Sequence, residues 1–81
     1  MSDTFERVKK VTAELLRIDE SKITENSRFV EDLGAESVQS IELVATFEEE
    51  FGIEMDENEA LAVKTVGDAV RFIDNILKNK K

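Results

Sequence analysis

The 81-residue chain has no cysteine. Disulfides and thiolate metal sites are therefore excluded. It has no histidine either, which removes the commonest general base and the commonest zinc ligand. With both missing, neither a Ser–His nor a Cys–His nucleophilic pair can form within the chain. No apolar run approaches the ~20 residues of a transmembrane helix. Met1-Ser2-Asp3-Thr4 lacks the basic region and apolar core of a signal peptide. A soluble cytoplasmic protein is the expectation, and a mature organelle protein relieved of its transit peptide also fits. Basic residues are missing where acidic ones are dense: eleven Asp and Glu, and no Lys or Arg, lie between Phe29 and Val63.

The formal net charge is -8, so phosphate backbones and anionic membranes would repel the chain. Neither nucleic-acid binding nor membrane insertion is expected. The natural counterpart of such a surface is a basic patch on another protein. At 81 residues the expectation is one small domain, residues 1–81, with no room for a second core or a deep enzyme cleft. A monomer is expected.

Apolar spacing predicts helices throughout. Phe5, Val8, Val11, Leu15 and Ile18 recur at three and four over Asp3 to Ile18. Asp3 reads as an N-cap, with Glu6 completing an acidic capping box. Asp19 to Arg28 is polar and reads as a long loop, with Ile23, Phe29, Val30 and Leu33 as core anchors. Ser37 to Phe51 is the clearest helix, ended by Gly52. Val38, Ile41, Val44 and Ala45 form one apolar stripe; Leu43, Phe47 and Phe51 form another. That arc is wider than one neighbouring helix needs. Either a bundle buries all of it, or part stays exposed for docking.

Asp56 to Leu61 reads as a short helix capped by Asp56, marginal by itself. Thr65 with Asp68 three residues on caps the last helix, whose face is Val66, Ala69, Val70, Ile73 and Leu77. Lys78, Lys80 and Lys81 suit its C-terminus or a solvated tail. Sustained period-two alternation is missing, so no strand is expected. The predicted fold class is all-α: a small four-helix bundle with three longer helices, a short third one and a long loop between the first two.

One site stands out. Leu33-Gly34-Ala35-Glu36-Ser37-Val38 puts a serine at a helix start after a small-residue turn. A helix N-terminus has unpaired N–H groups and the positive end of the macrodipole, so it favours an attached anion. Serine there is also an ordinary N-cap. The acidic residues that follow exceed what a solvated cap requires. Asp56-Glu57-Asn58-Glu59-Ala60 is acidic too, but lacks the spacing and glycine of an EF-hand loop.

From Phe5 to Ile73 the sequence resembles the acyl carrier proteins. The resemblance rests on Phe29-Val30-Glu31-Asp32-Leu33-Gly34-Ala35-Glu36-Ser37-Val38, on Ile41-Glu42-Leu43-Val44 and on Phe47-Glu48-Glu49-Glu50-Phe51-Gly52-Ile53. It implies a 4'-phosphopantetheine arm joined to Ser37, installed from coenzyme A by a phosphopantetheinyl transferase. The arm's thiol would supply the sulfur chemistry that the chain lacks. The chain would not be an enzyme. It would present acyl thioesters to acyl-transfer and synthase enzymes of fatty-acid or related biosynthesis. Basic, partly apolar patches on those enzymes would read Glu36, Val38, Ile41, Glu42, Val44 and Glu48. An acyl pocket would be lined by Leu43, Phe47, Met55, Ala60, Val63 and Ala69, which otherwise read as ordinary core.

The sequence departs from the family pattern at Glu36-Ser37-Val38, where Asp-Ser-Leu is usual, at Gln39, where an acid is frequent, and at Asp56, where proline is frequent. A peptidyl or aminoacyl carrier shares the fold and the serine. An acidic helical interaction module that never carries an arm is the alternative of another class; modification of Ser37 separates the two.

Overall fold

A computed structural model describes residues 3–79. Four helices follow in order: α1 (Asp3–Leu16), α2 (Ser37–Phe51), α3 (Glu57–Ala62) and α4 (Val66–Asn79), with a single 3-10 turn at Glu20–Lys22. No strand forms among the described residues; one antiparallel bridge joins Arg28 and Thr65. The helix α1 packs against both α2 and α4, and α3 packs against α2. Val8, Val66 and Ile73 are fully buried at the centre, with Leu43, Phe47 and Phe51 from α2 closing over them.

The ends of the helices follow from local chemistry, with two departures from the sequence reading. Asp3 already lies inside the first turn of α1, so its cap position falls outside the described residues. At the other end α1 stops at Leu16, two residues short of Ile18. Arg17 turns into the left-handed region at φ 60°, and the Ile18 N–H closes back on the Ala13 carbonyl at 3.1 Å. This is the Schellman pattern usually built on glycine. Caps at Asp56 and Thr65 form as the sequence indicates. Glu59 N–H donates to Asp56 Oδ1 at 3.1 Å, and Asp68 N–H donates to Thr65 Oγ1 at 3.1 Å. Lys78 lies in the last turn of α4; Lys80 and Lys81 lie outside the described residues.

The long connection between α1 and α2 is tied down by its backbone. Phe29 N–H donates to the Lys64 carbonyl at 3.0 Å, and Val66 N–H donates to the Ser27 carbonyl at 2.9 Å. Of its expected anchors, Ile23 and Phe29 are buried and Leu33 is half-buried. Val30 is not an anchor, since it is 57% exposed. The hydrogen bonds that hold Phe29 inward leave the next side chain pointing outward.

At the far end, Arg7 fixes α1 to the C-terminus of α2. Its Nε donates to Glu50 Oε2 at 2.9 Å and its Nη2 to the Glu50 carbonyl at 2.6 Å. The guanidinium also lies 4.4 Å from the centre of the Phe51 ring, so one cation satisfies a helix-end carbonyl and covers an aromatic face. In the core, the Thr12 hydroxyl is buried without a hydrogen-bond partner among the described residues.

Candidate functional site

The approach to α2 is a tight coil of backbone bonds. Asp32 and Leu33 N–H groups both donate to the Arg28 carbonyl at 3.0 Å, Gly34 N–H to Val30 at 3.1 Å, and Ala35 N–H to Phe29 at 2.9 Å. The Asp32 carboxylate completes it, accepting from the Arg28 N–H at 2.8 Å and from its guanidinium. These bonds to Arg28 hold the Asp32 carboxyl below its usual pKa and push the Arg28 guanidinium up. Gly34 sits at φ 75°, where its lack of a Cβ matters for the backbone rather than for space. Ala35 is buried and anchors the turn.

Glu36, not Ser37, is the N-cap of α2. Its backbone is extended, and its N–H donates to Gln39 Oε1 at 2.9 Å, the reciprocal half of a capping box. The glutamine that replaces a frequent acid is therefore the residue that closes the cap. Ser37 is the first helical residue. It is exposed, and its hydroxyl takes no side-chain hydrogen bond among the described residues. The start of α4 differs: its first N–H groups are already taken by Ser27, Glu25 and Thr65. The other half of the box gives the Gln39 N–H to the Glu36 carboxylate, so the Ser37 and Val38 N–H groups are the ones left at the start of α2 to face an anion.

The two stripes of α2 part company. Leu43, Phe47 and Phe51 are buried, whereas Val38 is 65% and Ile41 is 49% exposed. Glu36 and Glu42 are exposed beside them. Val44 and Glu48 are different. Val44 is half-buried and lines a cavity. Glu48 is half-buried too, and its Oε2 accepts from the Met55 N–H at 2.8 Å. The exposed face of α2 thus runs through Val38, Ile41 and Glu42, and turns inward toward Val44 and Glu48.

The cavity has a volume of about 180 Å³. Leu43, Phe47, Met55, Ala60, Val63 and Ala69 all line it, so the structure brings together the six residues singled out in the sequence. Val30, Glu31, Ser40, Leu61, Lys64 and Phe72 complete much of the wall. Sequence reasoning missed these. The signal for Ser40 was its place one turn after Ser37 on the same helix face; Val30 and Leu61 gave none, because an apolar residue on a loop or short helix reads as core.

The exposed hydroxyl, the unpaired N–H groups and the nearby apolar cavity suit a phosphate-linked arm with an apolar cargo. Comparison with known proteins agrees. The family model described as the phosphopantetheine attachment site matches residues 6–73. Among solved structures, the chain is similar to a Mycobacterium tuberculosis protein assigned as an acyl carrier protein. The two share 31% identity over 93% of this chain and 95% of that one, with a TM-score of 0.77. The four-helix architecture, the attachment-site match over residues 6–73 and the 31% identical structure together place this chain in the acyl carrier protein family, whose covalent prosthetic group is 4'-phosphopantetheine.

Proposed function

We propose that Ser37 carries the 4'-phosphopantetheine arm as a phosphodiester. The chain then presents acyl thioesters to the synthases and transferases of fatty-acid or related lipid and polyketide biosynthesis. The observation that carries this reading is the exposed, unengaged Ser37 hydroxyl at the open end of α2, one helical turn from the cavity-lining Ser40. When bound, the arm supplies a terminal thiol that holds an acyl group as a thioester.

The chain's own residues do the rest. The first N–H groups of α2 favour the phosphodiester charge. Leu43, Phe47, Met55, Ala60, Val63 and Ala69 shelter the acyl chain, each buried methylene contributing about 0.8 kcal/mol. Val38 and Ile41, with Glu36 and Glu42 around them, meet basic and partly apolar patches on partner enzymes. Exposed ion pairs are individually weak, which suits a carrier that visits several partners in turn. The chain itself catalyses no transfer; holding the thioester close raises its effective concentration for each partner. A cytoplasmic monomer accords with a surface of this charge.

The test is the intact mass of the protein after incubation with coenzyme A and a broad-specificity phosphopantetheinyl transferase, beside Ser37→Ala. One added phosphopantetheine on the parent and none on the variant is expected. Equal addition to both would overturn the assignment of Ser37. A folded parent that stays unmodified, with this transferase and with extract of its own organism, would favour the unmodified interaction module.

A further inference from the structure

The side chain and carbonyl of Glu48 hold the whole turn between α2 and α3. Its carbonyl accepts from the Gly52 N–H and, at 3.1 Å, from the Ile53 N–H. Its carboxylate accepts from the Met55 N–H at 2.8 Å. Met55 lines the cavity, and the next residue, Asp56, caps α3. One residue on the last turns of α2 therefore holds three N–H groups of the turn that leads through the cavity-lining Met55 to α3.

We propose that Glu48 is a positioning residue: its carboxylate, by holding the Met55 amide, keeps the cavity wall closed over the acyl chain and so sets how readily the cargo leaves. This rests on the reading of the cavity as the acyl site. Two observations support it. The helix α3 has only six residues, too few to hold its place by helix formation alone. The salt bridges do not include Glu48, so among the described residues no cation competes with the Met55 amide for that carboxylate.

The experiment uses protein loaded at Ser37 with an octanoyl-phosphopantetheine arm, its loading verified by intact mass. A parent that cannot be loaded refutes the carrier reading itself, separately from this inference. On loaded protein, two rates are measured: amide hydrogen exchange at Met55 and cleavage of the thioester by hydroxylamine. Glu48→Ala removes the acceptor, and Glu48→Asp keeps the charge but shortens the reach. Both should raise the two rates by about two- to tenfold, the worth of one hydrogen bond, with exchange at Val8 unchanged. Glu48→Gln keeps an acceptor oxygen at the same reach and should stay near the parent. Unchanged rates in the alanine and aspartate variants would overturn the proposal. So would a glutamine variant as fast as alanine.

Discussion

The Gly67 N–H donates to the Glu25 carbonyl at 2.8 Å, so the loop before α2 supplies a partner to the start of α4. The approach is close enough to leave no room for a side chain. A Cβ at position 67 would lie 2.9 Å from the Glu25 oxygen and 3.4 Å from its Cβ. Glycine to alanine inside a helix ordinarily stabilises by up to about 1 kcal/mol. Here the sign reverses: Gly67→Ala should cost about 1–3 kcal/mol, as overpacking against backbone does. Urea unfolding of the two proteins, read as a shift in midpoint, checks it.

Arg17 makes the opposite case. It holds the left-handed conformation that ends α1, with φ 60°, and its exposed side chain forms no salt bridge among the described residues. Arg17→Gly should therefore stabilise the protein by about 0.5–1 kcal/mol. A thermal midpoint that falls on this substitution would show that the guanidinium makes a contribution in solution that outweighs the backbone relief.

Acid sensitivity should trace in part to Asp32. Its folded-state pKa is lowered, first by the Arg28 side chain and then by the Arg28 backbone N–H. A lowered carboxyl binds its proton less readily when folded than when unfolded. Its contribution is therefore complete above the unfolded value of about 3.9, and is lost as pH falls through the folded value. The stability difference between the parent and Asp32→Asn should be constant from neutral pH down to that point and then shrink. Charge repulsion among the other carboxylates changes in both proteins alike, so the difference isolates this residue.

Glu42 is exposed beside Ile41, and its side chain makes no hydrogen bond among the described residues. Glu42→Lys should leave the fold intact and raise the KM of a partner transferase at low salt. The effect should fade as ionic strength rises, because exposed charges are screened within a Debye length of about 10 Å at 0.1 M. A salt-independent KM would place recognition on the apolar side chains instead.

How much of this could be read in advance differs by residue. Asp56, Thr65 and Gly52 announced the helix ends because their side chains, or the lack of one, make the cap. Arg17 did not, because nothing in an arginine signals a left-handed turn; the position is imposed by where Ile18 must pack. Serine is the better capping residue and glutamate a poor one, yet Glu36 caps α2 because Gln39 closes the box with it. Leu43, Phe47, Met55, Ala60, Val63 and Ala69 share a cavity wall that helical spacing could suggest. The exposure of Val30 was invisible, since it depends on Phe29 being held by Lys64, a residue thirty-five positions away.

That same pairing makes the acid-rich segment a closed excursion. Residues 29–64 leave and return through one neck, where Arg28 and Thr65 bridge and Phe29 and Lys64 share a hydrogen bond. The entropy of closing a chain grows only slowly with its length. Leu43, Phe47 and Phe51 of that segment also close the core, so the neck fixes its ends and α2 its middle. Its exposed side chains, Val38, Ile41 and Glu42 among them, are then the ones that can diverge without disturbing the frame of α1 and α4.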